Sequence, residues 1–225
     1  MYSVHRRLLA FVLFSSSSIA ATKPHLISFG KWTVVQWFAG AEEKEGLNLK
    51  VRGLFVDSRL KESTIGLPHE ITDRLFVVRR AFRMNDALPE ESNVAPRWRW
   101  QRGGWLLVDR VTGRISTLSL PQFDPYYSAA SWYRDYAAYC GISDDGKKLY
   151  AIVAQLGRRK PVLKNPLGEA TANEDPDSAC PAPAWQRQPT RVTFEVSEGQ
   201  KSTYSVRGHS VDIVNTEEDE EDASK

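Results

Sequence analysis

Alternation with a period of two runs through this chain and limits what it can fold into. Leu47, Leu49, Val51 and Phe55 are interleaved with Asn48, Lys50 and Arg52. In RLFVVRRAFRM, Phe76, Val78, Phe82 and Met84 fall on one parity and Arg79 and Arg83 on the other. Val192, Phe194 and Val196 repeat the pattern near the C-terminus. Successive side chains on a strand point to opposite faces, so each segment predicts a strand with one buried and one wet side. Such sheets are usually antiparallel. Residues 30–38, GKWTVVQWF, are β-branched and aromatic, which predicts a more buried strand.

Helix signals are few. Residues 41–46 can make one turn before Gly46, and residues 124–136 a short helical turn after Pro125. The fold class expected is therefore all-β, built of antiparallel sheets with little helix. Hydrophobic content of 41% is enough for a real core.

Turn chemistry places hairpins in RWRWQRGGWLLVDRVTGRISTLSL, residues 97–120. Gly103-Gly104 suggests a two-residue turn, because glycine takes positive φ at little cost. Val111-Thr112-Gly113 suggests a second, giving a three-stranded meander. Further on, YCGISDDGKKLYAIV carries Ser143, Asp145, Gly146 and Lys147 ahead of Leu149 and Tyr150. Together the two stretches, about residues 100–153, resemble the blade of TolB-type β-propellers. Those blades have a strand ending in Asp, a turn closing on Thr-Gly, and an S-x-D-G-K hairpin. Gly113 and Gly146 are 33 residues apart, within a blade-sized repeat of roughly 40. The resemblance implies a partial propeller-like blade array, and a β-sandwich using the same hairpins is the other architecture left open.

Residues 1–20 have the layout of a secretory signal peptide. Arg6 and Arg7 precede an apolar run, Leu8 to Phe14, and Ser18-Ile19-Ala20 offers small residues for cleavage. The run is too short for roughly 30 Å of hydrocarbon. The expected destination is the periplasm or the extracellular space, with no membrane span after cleavage. One all-β domain is expected over residues 21–215, followed by an acidic disordered tail over 216–225. Losing Arg6 and Arg7 leaves 28 basic residues (30 − 2) against 28 acidic ones. EEDEED at 217–222 holds six of those acids, so the body before it is mildly basic.

Residues 164–190 carry five prolines and read as a long loop containing Cys180. An exported chain with two cysteines most simply forms one disulfide, Cys140–Cys180, pinning that loop to a strand. The alternative is a thiol nucleophile, against which export and the cysteine count both weigh.

Other chemical signals are thin. His25, His69 and His209 show no metal-ligand spacing, and Glu174, Asp175 and Asp177 read as a solvated acidic loop. GHSVD at 208–212 lacks the last glycine of a nucleophile elbow and reads as strand edge and turn. Asp144-Asp145 is explained by the turn chemistry of aspartate. No catalytic, cofactor-binding or metal-ligating residue is assigned.

The aromatic run from Phe123 to Tyr139 is the one feature that suggests a surface. Tyr126, Tyr127, Trp132, Tyr133 and Tyr136 form the candidate binding patch, with core packing as its alternative role. The Arg/Trp alternation at 97–102 could meet phosphates and stack bases, but export and a neutral mature charge point away from nucleic acid. The functional expectation is a non-enzymatic module that binds a protein or glycan of the cell envelope. A secreted hydrolase with a loop-built carboxylate site is the alternative.

Overall fold

The computed structural model describes residues 23–37, 46–87, 95–170, 180–195, 201–208 and 210–213. The expected leader and acidic tail, the turn at 41–45 and the acidic loop at 173–177 lie outside them. Among the described residues there is no helix, and the segment after Pro125 is a turn.

The first sheet contains β1 (Ile27–Phe29), β2 (Thr33–Trp37), β3 (Leu47–Val56), β4 (Arg59–Glu70), β5 (Leu75–Asn85), β6 (Trp98–Asp109) and β7 (Ile115–Leu118). β2 through β6 pair as antiparallel neighbours in chain order, and a parallel bridge between Trp37 and Trp100 joins β6 back to β2. The bridge is parallel for a geometric reason: four successive reversals return the fifth strand to the direction of the first. Leu54, Phe76, Val78, Leu106 and Val108 form one buried cluster, and Val51, Ile65 and Ala81 another. Val51 and Leu54 stand at opposite parities of β3, so both faces of the sheet contribute to cores. β2 differs from its expectation. Only Trp37 is buried, while Val34 is 56% exposed.

Gly103-Gly104 is not a hairpin turn; β6 runs straight through it. Between Arg79 and Ala81 the partner strand advances from Trp105 to Arg102, so β6 carries one extra residue at the glycine pair. That is a β-bulge, the other common use of glycine inside a strand. A side chain at Gly103 would meet Arg80, with its Cβ 3.1 Å from the Arg80 Cβ. The second expected turn is present: Gly113 has φ 64°, and β7 returns along β6. Asp109 accepts the backbone N–H groups of Val111 and Thr112 there.

The second sheet is a four-stranded antiparallel meander of β8 (Ser131–Tyr133), β9 (Tyr136–Ile142), β10 (Lys148–Gln155) and β11 (Leu163–Glu169). The third repeats that layout with β12 (Ala184–Gln186), β13 (Arg191–Glu195), β14 (Lys201–Arg207) and β15 (Ser210–Ile213). Six of the seven residues of β9 are buried, because both faces of the second sheet are covered. Tyr136, Ala138 and Cys140 pack with Val192, Phe194 and Tyr204 of the third sheet. Ala137 and Tyr139 pack beneath Leu120, Phe123 and Trp132.

The segment resembling a blade is thus divided. β6 and β7 belong to the first sheet, and β9 and β10 to the second. Its hairpin chemistry is as read: Ser143 Oγ donates to Asp145 Oδ1 at 2.5 Å, and Gly146 takes φ 71°.

The expected loop at 164–190 is shorter than read. β11 occupies its start and β12 lies near its end. Pro166 is the first of the five prolines behind that reading. It sits on an edge strand, beside a bulge where Leu149 pairs with Gly168 and Tyr150 with Pro166. Proline is tolerated at such a place because no inner ladder needs its missing N–H. Cys140 and Cys180 are joined by a disulfide, and both are buried in the core between the second and third sheets.

Candidate functional site

The five aromatic residues of the expected patch do not share one surface. Tyr136 is core: its hydroxyl donates to the Gly208 carbonyl and ties the second sheet to the third. Tyr133 packs against Trp185 at 5.5 Å, again between those sheets. Trp132 lies between the first and second sheets, stacked on His69 and edge-on to Trp105 at 5.3 Å. His69 completes that junction by donating from Nε2 to the Arg134 carbonyl at 2.8 Å. Tyr126 and Tyr127 remain together, 5.8 Å apart, and Tyr127 is 37% exposed.

Tyr126 leads to a site that the sequence did not reveal. It forms one wall of a cleft of about 380 Å³, facing the bulged part of β5 and β6. Phe82, Met84, Trp105 and Leu106 contribute to its apolar wall, with Arg80, Gln101, Arg102, Thr117 and Asp124 at polar positions. Phe82 and Met84 share the parity of Phe76 and Val78, as read. They correct the expectation of burial, since both are partly exposed on this cleft. Arg79 braces the opposite wall by donating to the Pro125 carbonyl at 2.7 Å and the Gly103 carbonyl at 3.3 Å. Trp37 meets Tyr126 edge-on at 6.0 Å, and the Arg102 guanidinium stacks on Trp37 at 3.6 Å.

A second cleft, of about 370 Å³, shares Arg102 and Trp105 with the first. It opens between the β3–β4 pair and the segment at Ala129-Ala130 that leads into β8. Leu67, 76% exposed, belongs to its wall. It stands in an irregularity of β4 between Ile65 and His69, where Gly66 takes φ 69°.

Several carboxylates away from the clefts are held in structural contacts. Arg74 holds Asp109 in a two-pronged ion pair, with Nε–Oδ1 at 2.8 Å, which keeps the Asp109 carboxyl well below the usual range. Arg110 does the same to Glu70 at 2.7 and 2.8 Å. Arg80 pairs with Glu62 at 2.9 Å. His25 contacts Asp57 at 2.6 Å on an exposed turn and, as the largest influence, lowers the Asp57 carboxyl. The Asp145 carboxyl is lowered first by its bond from Ser143. Among the described residues Asp124 is the single carboxylate on either cleft, and its Oδ1 accepts the Tyr126 backbone N–H at 2.7 Å. Among the described residues, no three of His, Cys, Asp and Glu gather as a metal-binding group. No described helix is long and apolar enough to cross a membrane.

The Arg/Trp alternation becomes a stack. Arg83 of β5 lies over Trp98 at 5.8 Å and Trp100 at 5.6 Å, so the pattern reflects cross-strand packing.

No protein-family model matches this chain, and no curated protein matches it.

Proposed function

We propose that this protein is an exported, non-catalytic β module of the cell envelope that captures a partner through the first cleft. The observation that carries the reading is that cleft. It is concave and largely apolar, and its Tyr126 wall packs against the exposed Tyr127. Its volume is in the range that takes a small ligand or a large side chain, roughly 300–1,000 Å³. Tyrosine, phenylalanine and methionine are enriched where proteins meet partners. We favour an aromatic or aliphatic side chain of a protein partner as the occupant, because the exposed surface of the cleft is mostly apolar even though Arg80, Gln101, Arg102, Thr117 and Asp124 stand on its wall. Export is supported by the leader-like N-terminus and by a disulfide suited to an oxidising compartment. The two successive four-stranded meanders support a blade-array reading of the architecture.

The test is cross-linking in the envelope of the native host, followed by identification of the captured partner and its titration with purified protein. The double change Phe82→Ala and Tyr126→Ala should abolish capture while the circular dichroism stays unchanged. Capture that persists in a folded double variant would refute the assignment. Binding that transfers to a glycan array and survives protease treatment of the partner would replace the protein partner with a sugar.

A further inference from the structure

We infer that one end of the second and third sheets, where the turns at 134–135, 156–162 and 187–190 meet, docks on an anionic phospholipid bilayer. This does not depend on what the first cleft binds.

Strand pairing brings the three turns together. Tyr136 at the start of β9 pairs with Gln155 at the end of β10, and the Leu156 N–H donates to the Asp135 carbonyl at 2.8 Å. The first two turns therefore adjoin. The Tyr136 hydroxyl crosses to the Gly208 carbonyl, just past the end of β14. The third turn reaches the same place, because the Val206 N–H donates to the Thr190 carbonyl at 2.9 Å.

These turns carry Arg134, Arg158, Arg159, Lys160 and Arg187, all exposed. Asp135 is the one carboxylate in them, and its Oδ2 accepts a Gln155 side-chain N–H at 2.9 Å. Among the described residues, no ion pair joins any of the five cations to a carboxylate. The whole chain has 30 basic residues against 28 acidic ones, so this end is a local concentration of charge.

Chemistry and layout together select the partner. Four of the five cations are arginines, whose planar forks match phosphate oxygens. The turns cap two sheets packed face to face, roughly 10 Å apart, so the cations spread over a broad end. Neither cleft includes any of them. A soluble polyanionic strand is held along a groove, whereas a bilayer presents phosphates over a plane. Tyr133 and Trp185, packed together and half-buried behind the cations, are residue types that settle at headgroup level. Close to an anionic membrane each Lys or Arg strengthens binding about fivefold.

Co-sedimentation of the full chain with vesicles tests this. One set is phosphatidylcholine alone, and the other is equal parts phosphatidylcholine and phosphatidylglycerol. The quantity read is the difference between the sets, which cancels any hold of the apolar run Leu8 to Phe14 on lipid. The anionic vesicles should bind more protein, and binding should fall at least tenfold from about 0.01 M to about 0.15 M salt as screening shortens the field. Arg158→Gln, Arg159→Gln and Lys160→Gln together should weaken it about a hundredfold. Lys31→Gln, Lys61→Gln and Lys147→Gln remove the same net charge from exposed positions elsewhere. That control should stay within about threefold of the parent, because charges more than a Debye length away are screened. Circular dichroism confirms that both triple variants are folded. Equal binding to the two vesicle sets would overturn the inference. So would equal losses in the two triple variants, which would reduce the attraction to net charge. Capture of soluble polyphosphate at a salt concentration that already releases anionic vesicles would also overturn it, and put a soluble polyanion in place of the bilayer.

Discussion

Gly103 lies so close to Arg80 that a Cβ added to it would sit 3.1 Å from the Arg80 Cβ and 3.2 Å from the Arg80 carbonyl oxygen. Gly104, its neighbour, has nothing within 4 Å of the same construction. One glycine is demanded by close packing at the bulge and the other is not. Gly103→Ala should therefore destabilise the protein by about 1–3 kcal/mol, the usual cost of overpacking. Gly104→Ala should stay within about 0.5 kcal/mol of the parent. Urea denaturation of the two variants checks this, and equal losses would remove the bulge argument.

The disulfide carries a second expectation. Cys140 and Cys180 are buried between the second and third sheets and 40 residues apart in sequence. Replacing both with alanine should cost about 2–4 kcal/mol, with the chain-entropy model at the upper end. Thiol titration of denatured, unreduced protein should find no free thiol. Two titratable thiols would show that the bond does not form in the protein as isolated.

The carboxylate contacts set a pH dependence with a definite sign. Asp109, Glu70, Asp57 and Asp145 all have folded pKa values below their ordinary ones. Each contributes stability that is present above its unfolded pKa and is lost as pH falls through the folded value. For aspartate that loss begins near pH 4 and continues downward. Tyr139 behaves oppositely. Burial raises its phenol, so its contribution is present below about pH 10 and is lost as pH rises toward the folded value. Thermal melts from pH 7 down to 2.5 should fall most steeply below 4, and Asp109→Asn should flatten that limb. A limb unchanged in Asp109→Asn would mean that its ion pair with Arg74 contributes nothing measurable.

How much of this could be read from the residues depends on whether local chemistry or tertiary placement decides. The strands of β3, β5 and β13 follow from alternation alone. The Thr112-Gly113 turn and the Ser143-to-Lys147 hairpin follow from side chains that bond their own backbone. The disulfide followed from counting two cysteines in a chain with a leader-like N-terminus. Gly103-Gly104 was misjudged because a turn and a bulge ask the same thing of glycine. Only the partner strand, one residue short opposite them, distinguishes the two. β11 was missed because Pro166 is forbidden in an inner strand but acceptable on an edge, and edge status is tertiary. The clefts were hidden for the same reason. Lys50, Arg79, Arg102 and Trp105 come from three strands, and no spacing in the sequence links them. The one usable trace was the tyrosine pair at 126–127.

The aromatic run finally allows fold and recognition to be separated. Tyr136 and Tyr127 are nine residues apart and have opposite surroundings. Tyr136 is 9% exposed and its hydroxyl bonds the Gly208 carbonyl across the two sheets, whereas Tyr127 is 37% exposed beside Tyr126, which lines the first cleft. Tyr136→Phe removes one buried hydrogen bond and should cost about 1–2 kcal/mol. Tyr136→Ala also empties part of the core and should cost about 3–5 kcal/mol. Tyr127→Ala should leave stability within about 0.5 kcal/mol, as surface changes usually do, yet weaken partner capture. Chemical denaturation should therefore single out the two Tyr136 variants, and the capture assay, run on folded protein, should single out Tyr127→Ala. If Tyr127→Ala unfolds the protein as readily as Tyr136→Ala, the tyrosine pair at 126–127 is structural, and its part in recognition falls.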